Sequence, residues 1–190
     1  MSHSILVTRP IPELGLRMLR DKGYTVDVNQ KAPIPTQKDI IKLLKKKPYD
    51  AVLSLLTDPI DSKVFDAAPS VKLYANYAVG FDNIDAVEAK KRGIFVTNTP
   101  GSYSDSIAEH TVALILSLTT RMTEADRFMR AGKYKGWAPL NFMGTDLVGK
   151  TIGIVGTGRI GERVAYHLAK GFDSKIVYYD IARNEKIERE

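Results

Sequence analysis

Thr151-Ile152-Gly153-Ile154-Val155 runs directly into Gly156-Thr157-Gly158-Arg159-Ile160-Gly161. The first five residues are typical of a buried strand, and the periodicity that follows predicts a helix from Arg159 to about Lys170. A second strand is predicted from Lys175 to Tyr179, and Asp180 ends it. Strand, glycine-rich loop, helix, strand and terminal acid in this order predict the first βαβ unit of a Rossmann nucleotide-binding domain.

Each glycine of the loop has a separate physical role. Gly156 permits the tight turn, Gly158 lets backbone N–H groups approach a pyrophosphate, and Gly161 lets helix and strand pack closely. The helix N-terminus adds N–H donors and partial positive charge for the phosphates. Asp180 is expected to accept hydrogen bonds from the adenosine ribose and to repel a 2′-phosphate, which favours NAD over NADP. Arg183 offsets part of that repulsion, and the alternative for Asp180 is a solvated acid at a strand end.

The first hundred residues alternate apolar strands with amphipathic helices, a pattern typical of βαβ units and a parallel sheet. Strands are predicted at Ile5–Thr8, Tyr24–Val28, Ala51–Leu55, Lys72–Ala75 and Ile94–Thr97, and helices at Glu13–Lys22, Gln37–Lys46, Ser62–Ala67 and Ile84–Arg92. Thr36 is expected to cap the second helix, and Gly23 and Gly93 to end the first and last. We predict a flavodoxin-like α/β domain whose ligand crevice lies beyond the strand C-termini.

Two common functions of such a domain are not supported by its residues. A phospho-receiver needs an acidic cluster after the first strand and an Asp ending the third, but those places hold Thr8-Arg9-Pro10 and Ser54-Leu55. A flavin site requires a phosphate loop rich in Ser and Thr after the first strand, and Arg9-Pro10-Ile11-Pro12 does not provide one.

The turn at Pro100-Gly101 predicts a domain boundary, with domain 1 at 1–100 and the start of a Rossmann domain at 101–190. Helices are predicted at Ser104–Thr120 and Glu124–Ala131, followed by an irregular stretch from Gly132 to Gly149. Two strands and one helix leave a sheet face and an edge open, so this second domain is expected to be incomplete.

Composition narrows the function classes. Hydrophobic residues make up 44% and charged residues 26%, as in ordinary soluble proteins. The net charge is +6. The basic runs Lys45-Lys46-Lys47 and Lys90-Lys91-Arg92 end predicted helices, where cations complement the helix dipole. No nucleic-acid partner is therefore expected. There is no cysteine and the three histidines are scattered, so no disulfide framework and no metal site are expected. The apolar helix near Thr111–Leu118 is too short for a membrane span. No signal peptide is evident, so a cytoplasmic location is expected.

Four stretches of the sequence carry a family resemblance. They are Asn76-Tyr77-Ala78-Val79-Gly80-Phe81-Asp82-Asn83-Ile84-Asp85, Thr97-Asn98-Thr99-Pro100, Ala108-Glu109-His110 and residues 149–156. Together they resemble the D-isomer-specific 2-hydroxyacid dehydrogenase family, most closely its glyoxylate/hydroxypyruvate reductase branch. The resemblance covers the whole chain in the family's order.

The resemblance implies roles for individual residues. Backbone N–H groups at Val79 and Gly80 would hold the substrate carboxylate, although Gly80 alone also fits a simple turn before a helix cap. Ile107 would lie near the nicotinamide, and Thr157, Gly158, Arg159 and Ile160 would follow the pyrophosphate. Trp137 resembles the tryptophan that the reductase branch inserts into the partner subunit of a homodimer; the alternative is an ordinary packed aromatic residue. Glu109 and His110 would be structural.

The family takes its catalytic Arg, Glu and His from the second half of its nucleotide domain, so no catalytic residue is expected within 1–190. The chain is therefore expected to be part of a protein of about 300 residues or more, and inactive alone. The implied function is NADH-dependent, reversible reduction of glyoxylate, hydroxypyruvate or a related 2-oxo acid. A 3-phosphoglycerate or phosphite dehydrogenase, or a non-catalytic NAD-sensing protein like the family's corepressor branch, remains an alternative.

Overall fold

The computed structural model describes residues 3–31, 34–101 and 103–189. Within these ranges the chain forms two compact units, Met1–Gly101 and Ser102–Glu190. Each unit has its own apolar core.

The first unit is a parallel sheet whose strands alternate with helices. Its described elements are β1 Ser4–Val7, α1 Glu13–Asp21, β2 Thr25–Val28, α2 Gln37–Leu44, β3 Ala51–Leu55, α3 Ser62–Ala67, β4 Leu73–Tyr77, α4 Ala86–Lys91 and β5 Phe95–Thr97. All neighbouring strands are parallel, in the order β2-β1-β3-β4-β5. This is the flavodoxin-like order, and it confirms the fold class predicted for this part of the chain.

The end of β4 and the start of α4 were predicted wrongly by two residues each, and tertiary contacts explain both differences. β4 extends to Tyr77 rather than ending at Ala75, because it continues to pair with β3 as far as Leu55. α4 begins at Ala86 rather than Ile84, because Ile84 forms a parallel bridge with Ile60 and the Asp85 carboxylate caps the helix. The sheet therefore ends later, and the following helix begins later, than local patterns indicate.

The predicted helix ends of this unit are confirmed. Thr36 accepts a hydrogen bond from the backbone N–H of Asp39, and the Asp39 side chain accepts one from the Thr36 N–H, which forms a capping box at α2. Gly23 and Gly93 adopt φ of +82° and +67° after α1 and α4, a conformation that costs glycine little.

Alternate residues of the central strands are buried on opposite faces of the sheet. Leu6, Val52 and Tyr74 pack with residues of α2, α3 and α4. Ile5 and Val7 pack with Leu16 of α1 on the other face. Helices cover both faces, as parallel sheets require, and the carboxyl ends of β1, β3 and β4 meet at one edge of this core.

The second unit is a two-stranded parallel sheet packed on helices. Its described elements are α5 Ser104–Thr119, α6 Met122–Arg130, β6 Thr151–Val155, α7 Arg159–Phe172, β7 Lys175–Tyr179 and α8 Glu185–Arg189. No helix or strand occurs between α6 and β6, as predicted. α6 begins two residues before its predicted start, α7 extends two residues beyond Lys170, and α8 was not predicted.

One face of this small sheet is covered and the other is open. Ile152, Ile154 and Ile176 pack with α5 and α7 around Leu168. On the opposite face Val155 is 85% exposed, and Val177 and Tyr179 are also exposed. The expectation of an open sheet face is confirmed for the described residues.

A search of the described helices finds none with the length and apolar character needed to cross a membrane.

Candidate functional site

The glycine loop between β6 and α7 has the geometry that the sequence predicts. Gly156 adopts φ of +90°, which L side chains rarely adopt. A Cβ placed on Gly161 would lie 2.1 Å from the Gly156 carbonyl oxygen, so this position needs glycine for the helix to approach the loop. A Cβ on Gly158 would meet no heavy atom within 4 Å, so the space beside this residue is open.

The first turn of α7 presents backbone N–H groups to this open space. Gly158 is the N-cap, and no side chain caps it. Outside the helix itself, no described residue accepts a hydrogen bond from the N–H of Gly158, Arg159 or Ile160. Such unpaired N–H groups, together with the helix dipole, favour an anion such as a phosphate.

Asp180 points toward the glycine loop from the end of β7. Its Oδ2 accepts hydrogen bonds from the Thr157 backbone N–H at 2.5 Å and from Thr157 Oγ1 at 2.9 Å. The bond from the Thr157 N–H, followed by that from the Thr157 hydroxyl, lowers the pKa of Asp180. The Asp180 carboxylate is therefore charged at neutral pH and fixed beside the loop. The Thr157 side chain is buried and hydrogen-bonded to Asp180, rather than facing the open space.

Residues after Asp180 form a hydrogen-bonded segment that sequence reasoning missed. Asn184 caps α8 by accepting from the N–H groups of Lys186 and Ile187, and its Nδ2 donates to the Thr157 carbonyl at 2.8 Å. Arg183 donates from two nitrogens to Glu188 Oε2, at 2.8 and 2.5 Å. An Asn before an acidic first turn is a recognised helix start, and this signal at Asn184 was available in the sequence.

In the first unit, two asparagine side chains donate hydrogen bonds to carbonyl groups of the loop after β4. Asn98 Nδ2 donates to the Val79 carbonyl oxygen at 2.7 Å, and Asn76 Nδ2 donates to the Gly80 carbonyl oxygen at 2.9 Å. Among the described residues, the N–H groups of Val79 and Gly80 have no hydrogen-bond acceptor. Both residues are exposed, so this pair of amides is available to an anionic group such as a carboxylate.

A buried polar network supports that loop. Asn76 Oδ1 accepts from Ser54 Oγ at 3.0 Å, and Asn76 Nδ2 also donates to Asn83 Oδ1 at 3.0 Å. Asn83 Nδ2 donates to the carbonyl of Asp58, whose Oδ2 accepts from Thr8 Oγ1 at 2.5 Å. The network joins the ends of β1, β3 and β4. No local pattern in the sequence predicts this network, because most of its partners are separated by many residues.

The two remaining residues to which the resemblance gives a role lie in the second unit. Ile107 is in the first turn of α5 and is partly exposed. Trp137 lies in the irregular segment after α6 and is 82% exposed, so it is not an ordinary packed aromatic residue within this chain.

Other candidate chemical groups are not assembled into a site. Glu109 and His110 are both exposed on α5, whereas His167 is partly buried on α7. Among the described residues, no group of three or more His, Cys, Asp or Glu side chains is placed to hold a metal ion.

A strand, a glycine loop that the following helix approaches closely, a helix N-terminus and a strand-end acid define the first βαβ unit of a Rossmann α/β fold. The family can be named as well. The chain belongs to the D-isomer specific 2-hydroxyacid dehydrogenase family, whose catalytic-domain model matches residues 5–185. The resemblance that the motifs indicated is therefore confirmed.

Individual relatives agree with this assignment. A glyoxylate reductase of Korarchaeum cryptofilum is 48% identical over 191 residues, covering 100% of this chain and 56% of the relative. The crystal structure of the TT0316 protein from Thermus thermophilus superposes with a TM-score of 0.88 at 35% identity, covering 95% of this chain and 57% of that one. A D-lactate dehydrogenase from Aquifex aeolicus, complexed with NAD and lactic acid, gives a TM-score of 0.77 at 26% identity, covering 98% and 54%. The chain thus spans little more than half the length of these relatives.

Proposed function

We propose that the protein is an NADH-dependent reductase of glyoxylate, hydroxypyruvate or a related small 2-oxo acid, working reversibly. The observation that carries the proposal is the glycine loop with Asp180 fixed beside it, in a chain that is 48% identical to a glyoxylate reductase. The activity is proposed for a protein of the full length of these relatives, called the full-length protein below.

The loop and the first turn of α7 fit a nicotinamide dinucleotide. The open space at Gly158 admits a diphosphate, and the N–H groups of Gly158, Arg159 and Ile160 are positioned to donate to it. The Asp180 carboxylate would accept hydrogen bonds from the adenosine ribose hydroxyls, and its negative charge disfavours a 2′-phosphate. When bound, the cofactor supplies the hydride. The chain's own contribution is to bind and orient it, with Gly156, Thr157 and Gly161 shaping the loop and Ile107 flanking the nicotinamide as the resemblance implies.

In the first unit, we propose that the Val79 and Gly80 amides bind the substrate carboxylate. Asn76 and Asn98 hold the two carbonyl groups of this loop by hydrogen bonds, so the loop is fixed before an anion binds. Donors that are fixed in advance bind an anion without an ordering cost. The same loop would bind the carboxylate of any small 2-oxo acid, so it does not choose among them.

Carbonyl polarisation and proton transfer are proposed to depend on the family's Arg, Glu and His, which the resemblance places outside residues 1–190. Within this chain the proposed roles are therefore binding and orientation alone.

We also propose a homodimer. The second unit has exposed large apolar side chains on α5, on α6 and in the segment after α6, including Leu114, Leu118, Met122, Met129, Tyr134, Trp137, Leu140 and Met143. The resemblance implies that the helix predicted at Ser104–Thr120 and the segment around Trp137 form the family's dimer interface, and exposed apolar side chains in these two stretches fit such a contact. Trp137 would reach the partner subunit's site, and light scattering of the full-length protein tests the dimer directly.

Steady-state turnover by the full-length protein tests the proposed activity. NADH oxidation is measured with glyoxylate, hydroxypyruvate and pyruvate, and NAD reduction with D-3-phosphoglycerate and phosphite. We expect the highest kcat/KM with glyoxylate or hydroxypyruvate. Turnover of 3-phosphoglycerate or phosphite alone would replace the proposed substrate, and NADH binding without turnover of any acid would indicate a sensor rather than an enzyme.

A further inference from the structure

The segment that follows Asp180 contains a second acid placed to control the cofactor choice. Arg183 lies three residues after Asp180 and is largely exposed, at a position where an arginine accommodates the 2′-phosphate of NADP in Rossmann domains. Its guanidinium is instead bonded to Glu188 on α8, with Nε and a terminal nitrogen both donating to Oε2.

Glu188 is fixed in this position by a second bond. Its Oε1 accepts from the Tyr178 hydroxyl at 2.7 Å, and the Tyr178 oxygen in turn accepts from the Asn184 backbone N–H at 3.0 Å. Hydrogen bonds from Arg183 and then from Tyr178 lower the pKa of Glu188 to about 2. The acid is therefore charged at any working pH and has both oxygens engaged.

The segment is also tied to the glycine loop. Asn184 Nδ2 donates to the Thr157 carbonyl, and Thr157 donates to Asp180. If Arg183 changed its hydrogen-bond partner, the change would therefore take place beside Asp180, the carboxylate proposed to bind the ribose. With Asp180 and Glu188 charged and Arg183 paired, the segment carries one net negative charge, which opposes a 2′-phosphate but not ribose hydroxyls.

We propose that Glu188 is a specificity-determining residue, which holds Arg183 away from the adenosine ribose and so makes the proposed site select NADH over NADPH. This inference rests on the proposed function, and it adds a second determinant to Asp180. Glu188 does not touch the cofactor itself; it acts through Arg183.

The test uses dissociation constants of NADH and NADPH for the full-length protein, measured by fluorescence titration. Glu188→Gln keeps an acceptor for the Tyr178 hydroxyl but removes the charge that holds Arg183. We expect the ratio of the NADPH to the NADH dissociation constant to fall by about tenfold, the size of one charge-assisted hydrogen bond to phosphate. Adding Arg183→Gln in the same protein should restore the original ratio.

Glu185→Gln is the matched control. Glu185 also pairs with an arginine of α8, since its Oε2 accepts from Arg189 at 2.6 Å, but this pair does not involve Arg183. The control should leave the ratio unchanged. The single variant Arg183→Gln gives an independent measure. If Glu188 already holds the Arg183 guanidinium away, this guanidinium contributes nothing to NADPH binding. Its loss should then not raise the ratio of the NADPH to the NADH dissociation constant.

The outcomes separate this inference from the proposed function. If the parent binds NADH but Glu188→Gln leaves the ratio unchanged, or Arg183→Gln alone raises it, the assignment of Glu188 is overturned and the NAD site stands. If the parent binds neither nucleotide, both proposals are overturned.

Discussion

Replacing Gly161 with alanine should damage both the stability and the cofactor affinity of the second unit. The added Cβ would lie 2.1 Å from the Gly156 carbonyl oxygen, roughly 1 Å short of an ordinary carbon–oxygen contact. The atom met is backbone, so helix α7 must move away from the loop instead of a side chain turning aside.

Two opposing effects determine how much Gly161→Ala changes the free energy of unfolding. Overpacking costs about 3 kcal/mol at its upper range, which applies when rigid backbone is displaced. Alanine in place of glycine in a helix returns at most about 1 kcal/mol. The net destabilisation is therefore about 2 kcal/mol, which lowers the unfolding temperature by roughly 8–16 °C for a unit of this size.

Gly171 provides a matched control in the same helix. A Cβ there meets no heavy atom within 4 Å, so Gly171→Ala should stabilise α7 by about 0.5–1 kcal/mol. Scanning calorimetry of the full-length protein measures both variants, and NADH titration should show weaker binding only for Gly161→Ala. If Gly161→Ala proved as stable as Gly171→Ala, the close approach of helix and loop would not exist and the geometry described for the site would be wrong.

Three further changes test other parts of the structure. Tyr74→Phe should stabilise the first unit by up to about 1 kcal/mol, because the buried Tyr74 hydroxyl has no hydrogen-bond partner among the described residues. Burial also raises the pKa of Tyr74 above its ordinary value of 10.0, so its contribution to stability is full below pH 10 and declines as the pH rises further; urea unfolding should show a smaller alkaline loss in Tyr74→Phe. Thr36→Ala removes the capping box of α2 and should cost about 1 kcal/mol in the same assay, whereas an unchanged midpoint would argue against the cap. Asn76→Ala removes the hydrogen-bond partner of the buried Ser54 hydroxyl and of the half-buried Asn83 side chain and should cost about 2–3 kcal/mol; because it also releases the Gly80 carbonyl, KM for the 2-oxo acid should rise more than kcat falls.

The parts of the fold that local sequence determines were predicted well. The apolar run into Gly156 and the acid after β7 are adjacent in sequence to the elements they define, so the βαβ unit followed from pattern alone. Thr36 was predicted to begin a helix, and Gly23 and Gly93 to end helices, for the same reason, since a cap acts within one turn.

The residues that support the site were not predicted, because their partners are distant in sequence. Asn76 contacts Ser54 and Asn83 only after β3 and β4 pair, and neither residue type signals such a network by itself. The pairing of Arg183 with Glu188 depends on where α8 lies, and that helix was missed despite the capping signal at Asn184. Long-range packing, rather than local propensity, sets these contacts.

Binding of NADH to a Gly158→Ala variant of the full-length protein tests the central claim most directly. The added Cβ meets nothing in the protein, so the unfolding temperature should stay unchanged, but it enters the space assigned to the diphosphate. We expect the dissociation constant of NADH to rise by at least about tenfold. Unaltered affinity in a variant of normal stability would contradict the claim that the α7 N-terminus holds the cofactor.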